Sequence, residues 1–314
     1  MSEIIPRGVA AVALVTRFAT SPTGYLHLGH ALSALYVWGL GRHLGAKILL
    51  RIEDHDRARC RPAYEAAILA DLRWLGLVAD NQDEVERRPS LYRQSDRAAD
   101  YEDAVAALGR VAPVYACDCS RRQIAAGATA ATATDATAPR ELHYDGRCRS
   151  RGLARTADLG LRLTLPAGPI GFRDLLLGPL QQDPAPQCGD LLLRDRHGQF
   201  TYQLAVTVDD WRQGVNLVIR GQDLTASTAR QILVGRWLGR AADAQFAHHP
   251  LLIDGDGRKL GKRFLSEALA KRRLAGERPE DVLGEAAFLA GLTAPQRPLT
   301  AADLPALFAR GAAP

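Results

Sequence analysis

The chain has 314 residues, and 40 Lys and Arg against 35 Asp and Glu give it a formal net charge of +5. This length can bury one large core or two smaller ones. No apolar run approaches the roughly 20 residues of a membrane helix, and the N-terminus lacks a secretory signal pattern, so we expect no membrane partner and a cytoplasmic location. The basic excess favours polyanionic partners such as nucleic acid.

The first part of the chain has the pattern of a βαβ unit. Residues 10–18 have the composition of a strand, residues 30–43 show helical apolar spacing, and residues 47–52 form an apolar run typical of a strand buried on both faces. Strand, helix and strand in succession imply a parallel sheet. Helices are then predicted over residues 62–75 and 96–108.

After these helices the chain changes character, with cysteines, arginines and turn residues. The alanine and threonine stretch 125–139 predicts a disordered insertion, and residues 161–180 are β-rich. Residues 191–193, 200–208 and 215–219 then return to strand, helix and strand.

These patterns predict an α/β fold, namely a split nucleotide-binding parallel sheet with a subdomain inserted between its halves. We place the first half at residues 10–112, the inserted subdomain at 113–189 and the second half at 190–250. Residues 251–314 would contain a basic loop and short C-terminal helices.

Two histidines lie where the first strand meets the first helix. The stretch TSPTGYLHLGH, residues 20–30, places His27 and His30 at the carboxyl edge of the predicted sheet. Ligands of open α/β folds bind at that edge, and N–H groups at a helix N-terminus attract phosphate. Gly29 leaves room for a flat base. The residues alone leave two interpretations, a phosphate site or histidines that cap or pack the helix start. No G-x-G-x-x-G motif follows the strand, which disfavours a nicotinamide cofactor.

The second motif is the basic loop DGRKLGKR, residues 256–263. Lysine occurs only four times in the chain and arginine 36 times, yet Lys259 and Lys262 both lie in this loop. A merely solvated basic loop would more naturally use arginine here. We therefore expect the two lysines to clamp polyphosphate charge that develops in a transition state.

The five cysteines indicate a metal rather than disulfides. Their odd number and the expected reducing compartment argue against a disulfide framework. Cys117, Cys119 and Cys148 fall within 32 residues, and three thiolates with one further ligand would satisfy a tetrahedral zinc site. General metal chemistry favours His143 as the fourth ligand.

Together these motifs resemble those of the class I aminoacyl-tRNA synthetases. TSPTGYLHLGH is similar to the HIGH signature of that family and KLGKR to its KMSKS loop, with about 230 residues between them. Four segments more narrowly resemble the glutamyl branch of the family: RFATSPTGYLHLGHA, LLRIEDHD, TYQLAVTVDD and LVIRGQDL. The resemblance runs from about residue 14 to residue 263. It implies a Rossmann-like class I synthetase fold, with an inserted zinc subdomain, that activates an amino acid with ATP.

The resemblance implies a role for each matching residue. It assigns catalysis to His27, His30, Lys259 and Lys262, and ATP contact to His27, Gly29, His30 and Lys262. Magnesium would arrive with ATP as the substrate. Two positions depart from the family pattern: Gly261 replaces the usual serine of the lysine loop, and Thr20 replaces a proline.

For the amino acid, the family pattern brings together Arg17, Ser21, Glu53, Tyr202 and Arg220. Planar arginine forks recognise carboxylates bidentately, which suits Arg17 and Arg220 to glutamate, and Glu53 would hold the α-ammonium group. The adjoining Asp54 and Asp56 could suggest a metal, but a charged strand end and helix cap is the favoured interpretation.

A zinc-bearing branch of the glutamyl family carries the pattern C-x-C…Y-x3-C. By that resemblance the fourth ligand is Tyr144 rather than His143. One structural Zn²⁺ per chain would then be held by Cys117, Cys119, Tyr144 and Cys148. The 24 residues between Cys119 and Tyr144 exceed the usual gap, and the alanine and threonine stretch accounts for the excess.

The acceptor is inferred from the length of the chain. Full glutamyl-tRNA synthetases continue into helical domains that read the anticodon, whereas this sequence stops about 50 residues after the lysine loop. It thus resembles the truncated glutamyl-queuosine tRNA(Asp) synthetase family, which implies that its partners are ATP, L-glutamate and tRNA(Asp) carrying queuosine. We expect a monomer. The alternatives are a minimal glutamyl-tRNA synthetase charging tRNA(Glu) and a non-catalytic, zinc-containing RNA-binding protein.

Overall fold

The computed structural model describes residues 13–127, 142–252 and 267–309. It begins with the predicted βαβ unit, made of strand β1 (Val15–Thr20), helix α1 (Leu28–His43) and strand β2 (Lys47–Ile52). The two strands are parallel and in full register, so that Thr20 lies beside Ile52. Both strands therefore end at the same edge of the sheet, where the chain turns from β1 into α1.

The remaining elements are short. The helices are α2 (Pro62–Trp74), α3 (Gln82–Arg87), α4 (Ala98–Val111), α5 (Arg121–Gly127), α6 (Pro184–Cys188), α7 (Tyr202–Arg212) and α8 (Thr228–Trp237), followed by Leu269–Leu274 and Pro279–Leu289. The strands are β3 (Val114–Cys117), β4 (Gly160–Leu163), β5 (Ile170–Asp174), β6 (Gly178–Gln182), β7 (Leu191–Arg194), β8 (Leu217–Gly221) and β9 (Gln245–His249). Turns of 3₁₀ helix cover Pro89–Leu91, Gln94–Asp96, Gln222–Ser227 and Ala301–Phe308.

A four-stranded sheet has the order β6-β5-β9-β8. Strands β8 and β9 are parallel, β5 joins β9 in parallel, and β6 pairs with β5 antiparallel. Strand β1 starts beside the start of β8, because the N–H of Asn216 donates to the carbonyl of Val15 at 3.0 Å and the Asn216 Oδ1 accepts from the N–H of Val15 at 2.8 Å. The carboxyl ends of β1, β2 and β8 therefore face one common edge.

A second, antiparallel sheet has the order β3-β4-β7. Here the strand pairing differs from the predicted division of the chain. Strand β7 falls in the predicted second half, 190–250, yet it pairs with β4 of the predicted insert. Conversely, β5 and β6 fall in the predicted insert, 113–189, yet they share a sheet with β8 and β9. Local patterns predict that a segment is a strand, whereas its partner depends on contacts far away in sequence.

Two predicted segments lie wholly or mostly outside the described residues. The predicted disordered stretch 125–139 begins within α5, which continues as helix to Gly127, and its remainder is not described. The basic loop 256–263 is likewise outside the described ranges.

Helix α1 is buried on nearly every side. Its Leu35 and Trp38 are 0% and 5% exposed, and it packs against the helix Pro279–Leu289 and the 3₁₀ helix Ala301–Phe308. Gly39 permits this approach, because a Cβ there would lie 2.4 Å from Cε2 of Phe308. Although α1 is apolar, neither it nor any other helix in the described ranges is long and apolar enough to cross a membrane.

A network of buried charges joins β1, β2 and α7. The Asp210 carboxylate accepts from Nε of Arg17 at 3.0 Å and from Nη1 of Arg51 at 2.7 Å. Arg51 is 1% exposed and also donates to Oε1 of Glu53 at 2.9 Å. Burial acts to raise the pKa of the Asp210 carboxyl, but the two guanidinium groups hold it below its usual range. Asp210 is therefore an anion shared between two strands.

The adjacent Asp209 anchors the same network to α4 and to the turn before it. Its carboxylate accepts from the hydroxyl of Tyr101 at 3.0 Å and from Nε2 of Gln94 at 2.8 Å. Burial raises the pKa of Asp209. The hydrogen bonds from these neutral donors keep the buried carboxyl satisfied.

We expect Arg51→Met to lower the free energy of unfolding by about 3–5 kcal/mol, because it removes a partner from buried carboxylates that cannot reach water. Arg236→Met is the matched control. Arg236 pairs with Asp243 at the surface, where the two side chains are 46% and 35% exposed, and losing such a pair costs about 1 kcal/mol or less. Chemical denaturation measures both variants, and equal losses would contradict a structural role for the buried network.

Candidate functional site

The two histidines of TSPTGYLHLGH form a reciprocal cap at the start of α1. Nδ1 of His27 accepts from the N–H of Gly29 at 3.1 Å, and Nδ1 of His30 accepts from the N–H of His27 at 3.1 Å. The two rings lie with their centroids 3.9 Å apart. Because each Nδ1 accepts a hydrogen bond, a neutral ring must carry its proton on Nε2. The capping interpretation is therefore correct, and it is compatible with a phosphate site because it fixes the orientation of both rings.

The His30 ring is neutral in this setting. Burial, and then the neighbouring His27, lower the pKa of His30 to about 3. Near pH 7 it can offer a phosphate an N–H donor but not a positive charge. Cationic charge for a polyphosphate must come from other groups, and the sequence predicts these to be Lys259 and Lys262, which lie outside the described residues.

Four of the five residues predicted to bind glutamate lie close together, namely Arg17, Glu53, Tyr202 and Arg220. Arg17 on β1 reaches β8, where its Nη1 donates to the carbonyl of Ile219 at 3.3 Å, one residue before Arg220. Burial raises the pKa of the Tyr202 phenol, Arg220 and Arg17 act to lower it, and Glu53 acts to raise it. The phenol of Tyr202, at the start of α7, therefore lies within the electrostatic reach of all three charged groups.

Ser21 follows the last residue of β1 at the same edge. The N–H of Glu53 donates to the carbonyl of Thr20 at 3.0 Å, so the strand ends that carry Ser21 and Glu53 are adjacent. The Ser21 hydroxyl contacts the side chain of Cys60, with Oγ and Sγ 3.8 Å apart. The predicted residues thus come together from β1, β2, α7 and β8.

The two predicted arginine forks differ in what surrounds them. Arg17 is 4% exposed and gives its Nε to Asp210 at 3.0 Å. Arg220 is 5% exposed, and no carboxylate within the described ranges forms an ion pair with it. A buried cation needs a counter-charge. Arg220 is consequently the guanidinium best suited to receive an anionic ligand, whereas Arg17 is already paired within the protein.

The acidic run after β2 takes part in structural contacts. Asp54 accepts from the N–H and the hydroxyl of Ser95 at 2.8 and 2.6 Å, and Asp56 pairs with Arg59 at 2.6 Å. Neither carboxylate belongs to a cluster of three possible metal ligands among the described side chains. These contacts agree with the favoured interpretation of a charged strand end.

Three cysteines converge between β3 and the turn that contains Cys148. The Sγ atoms of Cys117, Cys119 and Cys148 all lie within 4.8 Å of one another, and those of Cys119 and Cys148 are 3.5 Å apart. Sulfurs of a tetrahedral site with Zn–S bonds of about 2.3 Å stand about 3.8 Å apart. The donor set therefore fits a zinc ion in both chemistry and spacing.

The position of Tyr144 suits a fourth ligand better than that of His143. The Tyr144 hydroxyl lies 3.4 Å from Sγ of Cys117 and accepts from the N–H of Cys148 at 3.0 Å. His143 is described but has no ring nitrogen within the cysteine cluster. The fifth cysteine, Cys188, lies apart, and its thiol faces the carbonyl of Pro184 at 3.2 Å.

Two residues around Tyr144 were not predicted from the sequence. Gly189 has a φ of +67°, and a Cβ there would lie 1.7 Å from the carbonyl oxygen of Tyr144. The guanidinium of Arg162 lies 3.6 Å from the centre of the Tyr144 ring, and its Nε donates to Sγ of Cys117 at 3.3 Å. Neither residue lies in a recognisable motif, so only the folded chain reveals these contacts.

Comparison with known proteins identifies the family. The family model for tRNA synthetases class I (E and Q), catalytic domain, matches residues 13–296. The Glutamyl-Q tRNA(Asp) synthetase of Symbiobacterium thermophilum is 43% identical over 302 residues, covering 94% of this chain and 92% of that protein. The protein of the same name from Rhodobacter capsulatus is 39% identical, covering 86% of this chain and 98% of that protein.

Longer ligases also match. The Glutamate–tRNA ligase of Oleidesulfovibrio alaskensis is 38% identical, and this chain covers 55% of its length. A crystal structure of a glutamate tRNA ligase from Elizabethkingia meningosepticum in complex with its amino acid superimposes with a TM-score of 0.74 at 25% identity, over 93% of this chain and 64% of that one. These matches confirm the class I synthetase fold and a ligase-type enzyme. The chain belongs to the class I aminoacyl-tRNA synthetases, in the group of glutamyl and glutaminyl enzymes.

Proposed function

We propose that this enzyme activates L-glutamate with ATP and transfers the glutamyl group to queuosine in the anticodon loop of tRNA(Asp). The observation that carries the choice of amino acid is Arg220, a buried guanidinium without a carboxylate partner among the described residues. The choice of acceptor is supported by relatives named Glutamyl-Q tRNA(Asp) synthetase, which match this chain over most of both lengths.

In the first step the α-carboxylate of glutamate attacks the α-phosphorus of ATP, and pyrophosphate leaves in line. His27 and His30 would donate Nε2–H to phosphate oxygens, since the helix cap holds Nδ1 of each ring on the backbone side. Lys259 and Lys262 would supply the cationic charge that neutral imidazoles lack. Gly29, between the histidines, would let the adenine base approach the backbone.

In the amino-acid pocket, Arg220 would bind the γ-carboxylate of glutamate and Tyr202 would bind beside it. Glu53 would hold the α-ammonium group, and Ser21 and Arg17 would complete the contacts around the α-carboxylate. The buried network fixes Arg17 and Glu53 through Asp210 and Arg51, so the pocket is formed before the ligand binds. Such preorganisation reduces the entropy lost on binding.

In the second step a hydroxyl of the queuosine cyclopentenediol attacks the glutamyl carbonyl, and AMP leaves. We further propose that Cys117, Cys119, Tyr144 and Cys148 hold one zinc ion per chain. A zinc ion closed by four protein ligands is structural and would stabilise the region around β3. The positive charge of Arg162 beside Cys117 and Tyr144 would help to balance the anionic ligands.

A second candidate acceptor is tRNA(Glu). It is supported by relatives named Glutamate–tRNA ligase, which are similar to 85% of this chain although this chain covers only 55% of their length. The non-catalytic RNA-binding alternative does not account for the ligase family to which the chain belongs.

Glutamate-dependent exchange of pyrophosphate into ATP, without tRNA, tests the activation step. We expect exchange with L-glutamate, followed by transfer of labelled glutamate to tRNA(Asp) that contains queuosine and no transfer to the same tRNA with guanosine at that position. Labelling of tRNA(Glu) would favour the second candidate. No exchange under any condition would contradict the proposed chemistry.

Lys262→Ala should reduce the exchange rate by about 100-fold or more, because the transition state loses a positive charge that no neutral histidine can replace. Lys271→Ala is the matched control. Its ammonium pairs at the surface with Glu267 at 3.5 Å, where the side chains are 78% and 54% exposed. Exchange should be nearly normal in this control, and thermal melting should show both variants folded. Near-normal exchange by Lys262→Ala would show that the lysine loop is wrongly assigned.

Tyr144→Phe should lower the affinity for zinc by about 10-fold or more, because the phenol oxygen is lost as a ligand. His143→Ala is the control at the neighbouring position and should retain zinc. Metal analysis of the purified proteins, followed by competition with a chromogenic chelator, measures this directly. Zinc retained by Tyr144→Phe and lost by His143→Ala would reverse the ligand assignment.

A further inference from the structure

The side chains that contact Arg220 are neutral. Its Nε donates to Nε2 of His248 at 3.0 Å, its Nη1 to Oε1 of Gln231 at 2.6 Å, and its Nη2 to Oγ1 of Thr228 at 3.0 Å. These bonds use all three nitrogens of the guanidinium and fix the plane of the fork. They provide no negative charge, so the positive charge of Arg220 is not matched by its direct neighbours.

His248 stands between Arg220 and a buried carboxylate. Nδ1 of His248 lies 2.6 Å from Oδ2 of Asp174, and both side chains are fully buried. A carboxylate only accepts, so Nδ1 carries the proton and Nε2 is left as the acceptor for Arg220. Burial lowers the pKa of His248, which keeps the ring neutral. Asp174 thus sets the tautomer of His248, and in this tautomer Nε2 can accept the hydrogen bond from Arg220.

The hydrogen-bonded side chains of Asp174, His248 and Arg220 lie on three neighbouring strands, β5, β9 and β8. Arg220 and His248 are register partners in the parallel β8–β9 pair. Asp174 ends β5, and its Oδ1 accepts from the N–H groups of Leu176 and Leu177 at 2.9 and 3.0 Å. Because backbone N–H groups hold the Asp174 carboxylate, all three side chains are anchored to the sheet.

Arg17 shows the alternative arrangement. Its Nε pairs directly with the Asp210 carboxylate at 3.0 Å, which neutralises its charge within the protein. Nε of Arg220 instead donates to the imidazole of His248, whereas Nε of Arg17 donates to the carboxylate of Asp210. The Asp174 carboxylate is one side chain further away and is itself held by His248 and the backbone. The Asp210 carboxylate acts on Arg220 electrostatically, but its hydrogen bonds go to Arg17 and Arg51.

We propose that His248, oriented by Asp174, is a specificity-determining positioning residue: it presents a neutral acceptor to Arg220 and so leaves the guanidinium charge for the γ-carboxylate of the substrate. This inference rests on the proposed function for the identity of the amino acid. A direct carboxylate at this position would neutralise Arg220 and remove the reason to prefer glutamate over its neutral amide. His248 does not touch the substrate in this account and acts through Arg220.

Three variants test the role of His248. His248→Glu puts a carboxylate against Arg220, while His248→Gln keeps a neutral acceptor. His249→Gln is the control on the next residue of β9, which is 3% exposed and stacks on Tyr36 with ring centroids 4.9 Å apart. Calorimetric titration with L-glutamate and with L-glutamine gives the ratio of the two affinities without requiring catalysis.

We expect His248→Glu to reduce the preference for L-glutamate over L-glutamine about 100-fold, as expected when a buried charge pair is rearranged. His248→Gln should stay within about 10-fold of the wild-type preference, and His249→Gln should match the wild type. An unchanged ratio in His248→Glu, or equal weakening of both ligands, would overturn the inference while leaving the proposed function intact. A wild-type protein that binds no L-glutamate would overturn both.

Discussion

The carboxylate of Asp210 is bound by Arg17 from β1 and by Arg51 from β2, and this shared, buried anion is the constraint on which the site depends. Two guanidinium groups cannot be buried side by side without such a counter-charge. Because Arg51 also binds Glu53, the same interaction positions the end of β2, where the substrate ammonium is proposed to bind. The strand ends that form the pocket are therefore held by charge pairs as well as by the parallel backbone ladder.

A second property of the site is that the protein itself orients the hydrogen-bond donors of the two histidines and of Arg220. The histidines at the start of α1 use Nδ1 to cap the helix, so each neutral ring must carry its proton on Nε2. Arg220 is fixed by three neutral acceptors, one of which is fixed in turn by Asp174. Groups held in this way lose little freedom when a ligand binds, and their dipoles already point where charge develops. The two histidines and Arg220 are therefore held in fixed orientations by a helix start and by the strands of the sheet.

Sequence patterns predict the local elements well and the long-range contacts poorly. The apolar run KILLRI forms β2 with the predicted bounds, and α2 starts at the predicted Pro62. The partner of β7 was not predictable, since β7 lies in the predicted second half and pairs with β4 of the predicted insert. Arg51 lies in a strand predicted to be buried on both faces, but no local pattern identifies its partner Asp210, which is 159 residues away. The pocket residues were identified by resemblance to a family, because residues on β1 and β8 have no detectable relation in sequence alone.

The central claim is that glutamate is recognised by the unmatched charge of Arg220 and that Arg17, already paired with Asp210, takes a different part of the ligand. A crystal structure with L-glutamate bound tests this most directly. The account predicts a γ-carboxylate oxygen about 3 Å from a guanidinium nitrogen of Arg220, with the contacts from Arg220 to His248 and from Arg17 to Asp210 unchanged. A γ-carboxylate bound to Arg17 in place of Asp210, or a ligand that leaves Arg220 without a new contact, would contradict it.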